Sequence, residues 1–185
     1  MAATQHAQQI KNDSKNYLAI ALLDLLQTTN LEDVKIAKLV ARAGVSRMAF
    51  YRNFDTVADV LRDYFEPKIS ALFDDVIKHA ATVDKMIDMA QFFTEFEVQL
   101  RLAVDRHFEY VLQEIFAANM ARLYAQLPEI NAIPEVPRHY WIGFMSAGVY
   151  NIWRDWLLQG KRDSLDAVHD VLGTLQTTTF NALKV

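Results

Sequence analysis

The chain has 185 residues, 52% of them hydrophobic and 23% charged, with no cysteine, five glycines and four prolines. This composition excludes a disordered chain, a disulfide scaffold and a thiolate metal site, and so few turn residues exclude an all-β fold. The formal net charge of −4 is unevenly held: residues 1–66 balance eight basic against eight acidic side chains, while residues 67–185 hold eleven against fifteen.

No apolar run reaches the roughly 18 residues of a membrane span, and the opening MAATQHAQQIKND lacks the apolar stretch of a secretory signal. The expectation is a soluble, cytoplasmic, all-α protein with no membrane partner. The first predicted helix runs from Ser14 to Thr28, with Asn12, Asp13 and Ser14 as cap oxygens and Leu18, Leu22, Leu25 and Leu26 on one face. A short helix at 35–42 turns Ile36, Leu39 and Val40 inward. Gly44 fits a left-handed turn position, where a Cβ is costly. Ser46 fits an N-cap, and Val45 and Phe50 have the spacing of a hydrophobic staple around a second short helix ending at Asn53 and Phe54. Two short helices around a glycine-containing turn form the helix-turn-helix pattern.

A further helix starts from an Asp55 cap and carries Val57, Val60, Leu61, Tyr64 and Phe65 to Pro67. That proline predicts a kink or break, because it removes a backbone donor and crowds the preceding turn. Apolar-periodic stretches follow at 68–80, 83–95, 97–105 and 106–127, and Pro128, Asn131, Pro134 and Pro137 mark the one long predicted loop. A helix over 138–159 is closed by Gly160, and Ser164 caps a last helix reaching Leu183. The chain thus divides into a helix-turn-helix domain, residues 1–66, and a helical-bundle domain, residues 67–185.

The window 35–52 holds Lys35, Lys38, Arg42, Arg47 and Arg52 and no acid. Such a run is either a solvated helical face or a nucleic-acid contact. On a wheel started at Arg47, the side chains of Arg47, Met48, Tyr51 and Arg52 fall within about 140°, and Phe50 points the other way. That face offers two guanidinium forks, which can pair with guanine in the major groove or with phosphate, and a phenol that can donate to phosphate. Solvation alone does not account for a tyrosine beside two arginines directly after a glycine turn.

The run LVARAGVSRMAFYRNFDTVADVL, residues 39–61, resembles the DNA-binding module of the TetR/AcrR family of bacterial regulators. The resemblance rests on the Ala43-Gly44-Val45-Ser46 turn, the helix closing on Tyr51 and Phe54, and the helix that follows. With the leading helix it spans residues 14–65. It implies a three-helix DNA-binding domain joined to a helical bundle that binds a ligand and dimerises. It also implies a homodimeric repressor, released from a palindromic operator in double-stranded DNA by a small apolar effector. The implied DNA-binding residues are Lys35, Ser46, Arg47, Met48, Tyr51 and Arg52. Three positions depart from the family pattern: Lys35 stands where a threonine cap is usual, Met48 where a small residue is usual, and Val57 where a lysine often opens the fourth helix. These departures sustain a second reading, a coactivator or protein-interaction module of the same fold with weakened DNA binding.

In the middle of the chain, Phe65, Phe73, Met86, Met89, Phe92, Phe93, Phe96, Phe108, Phe116, Met120 and Tyr124 are either plain core or the lining of an adaptable apolar cavity. The resemblance implies an effector pocket there, with Phe92, Phe96, Phe116 and Met120 as lining and Trp141 and Tyr150 as second choices. Further on, Leu165, Val168, Leu172, Leu175 and Thr179 step by three and four, like a coiled-coil seam. The preceding helix carries a stripe of Trp141, Met145, Gly148 and Ile152, and Gly143, Ala147 and Gly148 permit close approach. The seam is either an intrachain packing face or one half of a four-helix bundle across a two-fold axis. The resemblance favours the second, which makes Met145, Gly148, Ile152, Leu165, Val168, Leu172 and Leu175 the expected dimer interface.

The five histidines form no i, i+4 pair, so neither a metal nor a cofactor is expected. Asp74–Asp75 and Glu95–Glu97 read as solvated surface, and no nucleophile elbow, phosphate loop or dinucleotide fingerprint occurs. No catalytic residue, and hence no enzyme, is expected.

Overall fold

A computed structural model describes residues 2–78, 91 and 93–184, and no strand occurs among them. The chain forms two compact units, one made of Met1–Pro67 with Leu102–Leu112, the other of Lys68–Arg101 with Gln113–Val185. An all-α fold with an N-terminal helix-turn-helix and a C-terminal helical bundle is therefore what this sequence builds.

The first unit opens with α1 (Ala2–Leu25), a single 3₁₀ turn (Leu31–Asp33), α2 (Ile36–Ala43) and α3 (Arg47–Tyr51). Helix α1 begins well before Ser14, so Asn12, Asp13 and Ser14 lie inside it instead of capping it. The upstream segment is rich in Ala and Gln and has no Gly or Pro to stop a helix. Helix α2 ends as expected. Gly44 is left-handed at φ +68, Val45 N–H donates to the Val40 carbonyl at 3.1 Å, and Gly44 N–H donates to Ala41 at 3.4 Å, a Schellman arrangement.

Helix α4 (Val57–Lys78) is capped by Thr56, not by Asp55. Thr56 N–H and its hydroxyl donate to Asp59 Oδ2 at 2.7 and 2.8 Å, and Asp59 N–H donates back to Thr56 Oγ1 at 3.3 Å. This reciprocal box needs an acid three residues after the cap; Asp55 has Ala58 there. Partial burial pulls the Asp59 carboxyl upward, but the Thr56 hydrogen bonds and the Arg62 guanidinium hold it below its ordinary range. Pro67 lies within α4 without breaking it. The missing donor leaves free the carbonyl of Asp63, one turn earlier, and Pro67 itself is exposed between exposed Glu66 and Lys68, so its ring displaces no packed neighbour.

The core of this unit is Leu18 and Leu22 of α1, Leu26 just after it, Leu39 of α2, Phe50 of α3 and Leu61 and Phe65 of α4, all fully buried. Each contributes about 1.5–3 kcal/mol by leaving water. Ala103, Phe108 and Val111, distant in sequence, complete it, with Phe108 stacked on Phe65 at 6.3 Å and 17°.

The second unit contains helical residues from α5 (Glu97–Asp105) and α6 (Glu109–Tyr124), then α7 (Pro128–Asn131), α8 (Glu135–Leu158) and α9 (Leu165–Asn181). The predicted 97–105 helix coincides with α5, and residues 68–78 of the predicted 68–80 stretch complete α4. Most of the predicted 83–95 stretch lies outside the described residues. The proline-rich loop is shorter than expected. Pro128 opens the single turn α7, Pro134 is the N-cap residue of α8, and Pro137 sits in the first turn of α8, where its missing N–H has no intrahelical acceptor to lose.

Gly160, at φ +78, closes α8 in a second Schellman arrangement, with Lys161 N–H on the Trp156 carbonyl at 2.8 Å and Gly160 N–H on Leu157 at 3.0 Å. Ser164 Oγ caps α9 by accepting from Ala167 N–H at 3.2 Å. Glu97 accepts from Arg101 at 2.9 Å and Lys161 at 2.8 Å, and Arg101 donates to the Leu157 carbonyl at 2.7 Å, which ties the start of α5 to the end of α8. The hydrogen bonds from Lys161 and Arg101 hold Glu97 below the usual carboxylate range. Among the described residues no helix is long and apolar enough to cross a membrane.

Candidate nucleic-acid interface

Helix α3 has only five residues, and its orientation is fixed from three sides. Ser46 Oγ accepts from Ala49 N–H at 3.1 Å at the N-terminal end, and Asn53 Nδ2 donates to the Ala49 carbonyl at 2.7 Å at the other. On the inner side Phe50 is fully buried, its ring 6.0 Å from Phe54 and edge-on to Tyr51 at 5.3 Å. Helix α1 packs against both α2 and α3. With Phe50 locked inward, Arg47, Met48, Tyr51 and Arg52 face outward: Met48 is 71% exposed and Tyr51 56%.

Lys35 occupies the N-cap position of α2, where its ammonium, a donor with no lone pair, cannot cap the helix N–H groups, and its side chain is exposed. Of the five cations in the window, Arg42 pairs with Asp24 of α1. Lys35, Lys38, Arg47 and Arg52 are exposed and form no ion pair among the described residues. Of the six residues singled out in the sequence, Ser46 caps α3 and all six are exposed; Lys38, a further exposed cation of the same window, lies on α2 and outside the wheel of α3.

Local pattern gave no warning of the segment 102–112. Leu31 N–H donates to the Arg106 carbonyl at 3.0 Å, and the Arg106 guanidinium donates to the Gln27 carbonyl at 2.7 Å. His107, left-handed at φ +61, places Nδ1 2.7 Å from Glu32 Oε1, and that hydrogen bond holds the Glu32 carboxyl below its usual range. These contacts fix the corner between α1 and α2, whose position sets where Lys35 projects.

In the helical body, Phe92 lies outside the described residues. Phe116 and Tyr150 are buried in one aromatic cluster: Phe116 meets Phe73 at 5.3 Å, Phe93 at 5.5 Å and Tyr150 at 5.4 Å, and Phe93 stacks on Trp153 at 5.6 Å. Met120 is buried and Phe96 half-buried. Trp141 belongs to a different cluster, with Tyr124 at 5.0 Å and Phe180 at 5.8 Å, and its Nε1 donates to Thr179 at 3.0 Å. Burial in that cluster pushes the Tyr124 phenol up.

The expected dimer seam is split. Val168 and Leu172 of α9 and Met145 of α8 are buried within the chain itself, Gly148 and Ile152 are half-buried, and Leu165 and Leu175 are exposed. The outward apolar side chains include Val136, Tyr140 and Phe144 on α8 and Val171 on α9. Tyr140 and Phe144 border a groove of about 590 Å³ floored by Ala117, Ala121, Gly143 and Ala147.

Among the described residues no group of three or more His, Asp or Glu side chains is placed to hold a metal ion.

A helix-turn-helix unit and a separate helical unit in one all-α chain form a fold that solved structures of other proteins share, two of which are the following. One is titled as a TetR transcriptional regulator from Streptococcus agalactiae 2603V, with TM-score 0.60 and 16% identity over 95% of this chain and 99% of that one. The other is a dihydroxyacetone kinase operon activator, DhaS, with TM-score 0.54 and 15% identity over 93% of this chain and 98% of that one. No protein-family model and no curated protein sequence matches the chain.

Proposed function

We propose that the chain is a DNA-binding transcriptional regulator that reads a palindromic operator with α3, one copy per half-site. The observation that carries this is the outer face of α3: pinned at both ends, it exposes two arginines without an ion pair among the described residues, a phenol and a thioether. Arg47 is assigned to a base edge, Ser46 and Tyr51 to the backbone near it, and Lys35, Lys38 and Arg52 to phosphates. Residues 1–66 are the DNA-binding domain and residues 67–185 the effector and dimerisation domain. A second copy covers the outward face of α8 with Leu165, Val171 and Leu175 of α9, which pairs two recognition helices across a two-fold axis.

A small apolar effector enters the Phe116–Tyr150 cluster and releases the operator, to the extent that it binds the two states of the protein with different affinity. Repression by occupancy is the simplest outcome of a dimer seated on a promoter. The second reading, a coactivator of the same fold, draws on Met48 and Val57 and on the neighbour titled as an operon activator.

The test is selection of duplexes from a random-sequence pool by the full chain, followed by titration of the selected duplex. Arg47→Ala weakens binding by about 1–3 kcal/mol and relaxes preference at one base pair per half-site. Arg52→Ala and Lys35→Ala weaken all sequences alike, each lowering the salt slope by about one. Failure to select any duplex, or equal affinity of wild type and Arg47→Ala for every duplex, rejects the DNA reading in favour of the coactivator.

A further inference from the structure

Among the described residues of the first unit, Met48 is the most exposed large apolar side chain, at 71%. Nothing in the fold of α3 requires it there, because the inner side is filled by Phe50 and the ends are held by Ser46 and Asn53. On the wheel of α3, Arg47 and Arg52 bound the outer face about 140° apart, and Met48 with Tyr51 lies between them. Whatever the two guanidinium groups grip, the thioether is pressed against its middle.

The chemistry of that partner is narrow. A thioether is a weak acceptor, has no donor and gains nothing from a phosphate. The major groove carries one apolar feature on its base edges, the C5-methyl group of thymine. An unbranched, polarizable side chain with three rotatable bonds adapts to a methyl group without the exact register a bidentate hydrogen bond demands.

We infer that Met48 is a specificity-determining residue that reads the 5-methyl group of a thymine in each half-site, between the base pair read by Arg47 and the phosphate held by Arg52. This rests on the DNA-binding reading above and adds a base identity to it.

The test replaces each thymine of the selected duplex in turn by uracil, which removes the methyl group and leaves every hydrogen-bonding edge intact. In the wild type, one thymine per half-site loses affinity about fourfold on replacement, the fold-change for one buried methyl-sized group, and replacing both symmetric copies loses roughly tenfold or more. Met48→Ala binds the thymine and uracil duplexes alike, and Met48→Leu restores most of the discrimination. Helical content measured beside each titration keeps a folding defect from imitating the effect.

Two results overturn the inference while leaving DNA binding intact: wild type indifferent to uracil at every position, or a uracil effect of equal size in wild type and Met48→Ala. If no duplex is selected at all, the DNA-binding reading fails and takes this one with it.

Discussion

Phe144→Ala tests the face proposed above for the pairing of two copies. Phe144 is 62% exposed on the outward side of α8, which leaves roughly 120 Å² of a side chain that buries about 200 Å² when fully covered. At about 25 cal/mol/Å², covering it is worth about 3 kcal/mol per protomer, and a two-fold axis counts it twice. Association returns only part of such area as affinity, because orientation and side-chain freedom are lost. A net loss of about 2–4 kcal/mol raises the dimer Kd roughly thirty- to a thousand-fold. Sedimentation velocity over a concentration series reads this directly. Leu172→Ala is the contrasting variant: Leu172 is 3% exposed within one chain, so its truncation lowers unfolding stability by about 2–5 kcal/mol and leaves association of the folded chain little changed. An unaltered Kd in Phe144→Ala, with dissociation in Leu172→Ala, refutes the reasoning and returns the interface to the α9 seam.

Two further outcomes are expected. Gly44→Ala meets no atom within 4 Å, so its cost is purely that of an L side chain at φ +68, about 1–2 kcal/mol in guanidinium denaturation; a neutral substitution contradicts the assigned turn. Glu97 has its carboxyl lowered by Lys161 and Arg101, so its contribution is fully present above the ordinary glutamate value and is lost as pH falls through the lowered one. The melting temperature of Glu97→Gln therefore falls less steeply between about pH 5 and pH 3 than that of the wild type, and parallel curves count against the clasp.

The parts legible in the sequence are those fixed by a local rule. Gly44, Ser46, Gly160 and Ser164 each announce a helix end through their own backbone or side chain, and each sits where the rule places it. Asp55 and Thr56 are equally good caps by residue type alone, and only the acid three residues after Thr56 decides between them. The start of α1 is not legible from Asn12, Asp13 and Ser14, because a cap-forming triplet is also compatible with a helix interior when the residues before it favour helix. The stripe 165–179 had a readable period, but a three-four pattern is wide enough to serve two faces. Val168 and Leu172 turn into the chain while Leu165 and Leu175 turn out, and only tertiary packing decides which. The segment 102–112 was illegible for a different reason: His107 meets Glu32 across 75 residues of sequence, and no periodicity encodes such a pairing.

The size of α3 links these observations to the way regulation has to work. A helix of five residues offers few side chains to a base edge, so the specificity of one copy is small. Four unpaired cations per copy, with Arg47 assigned to a base, leave about three for phosphates, and each phosphate neutralised contributes a salt slope of about −0.9. A chain of net charge −4 adds no long-range attraction to that local patch. One copy alone therefore stays near the non-specific regime, with Kd of about 10⁻⁴–10⁻⁶ M at physiological salt. Two copies held at half-site spacing make the second contact intramolecular, and avidity then exceeds the single-site affinity by about 10²–10⁴ without any new contact. For the proposed dimer, occupancy of the operator thus depends on the spacing of two weak contacts more than on the strength of either. Under the proposed function, a ligand in the helical body would control operator occupancy by changing that spacing, with no need to touch α3.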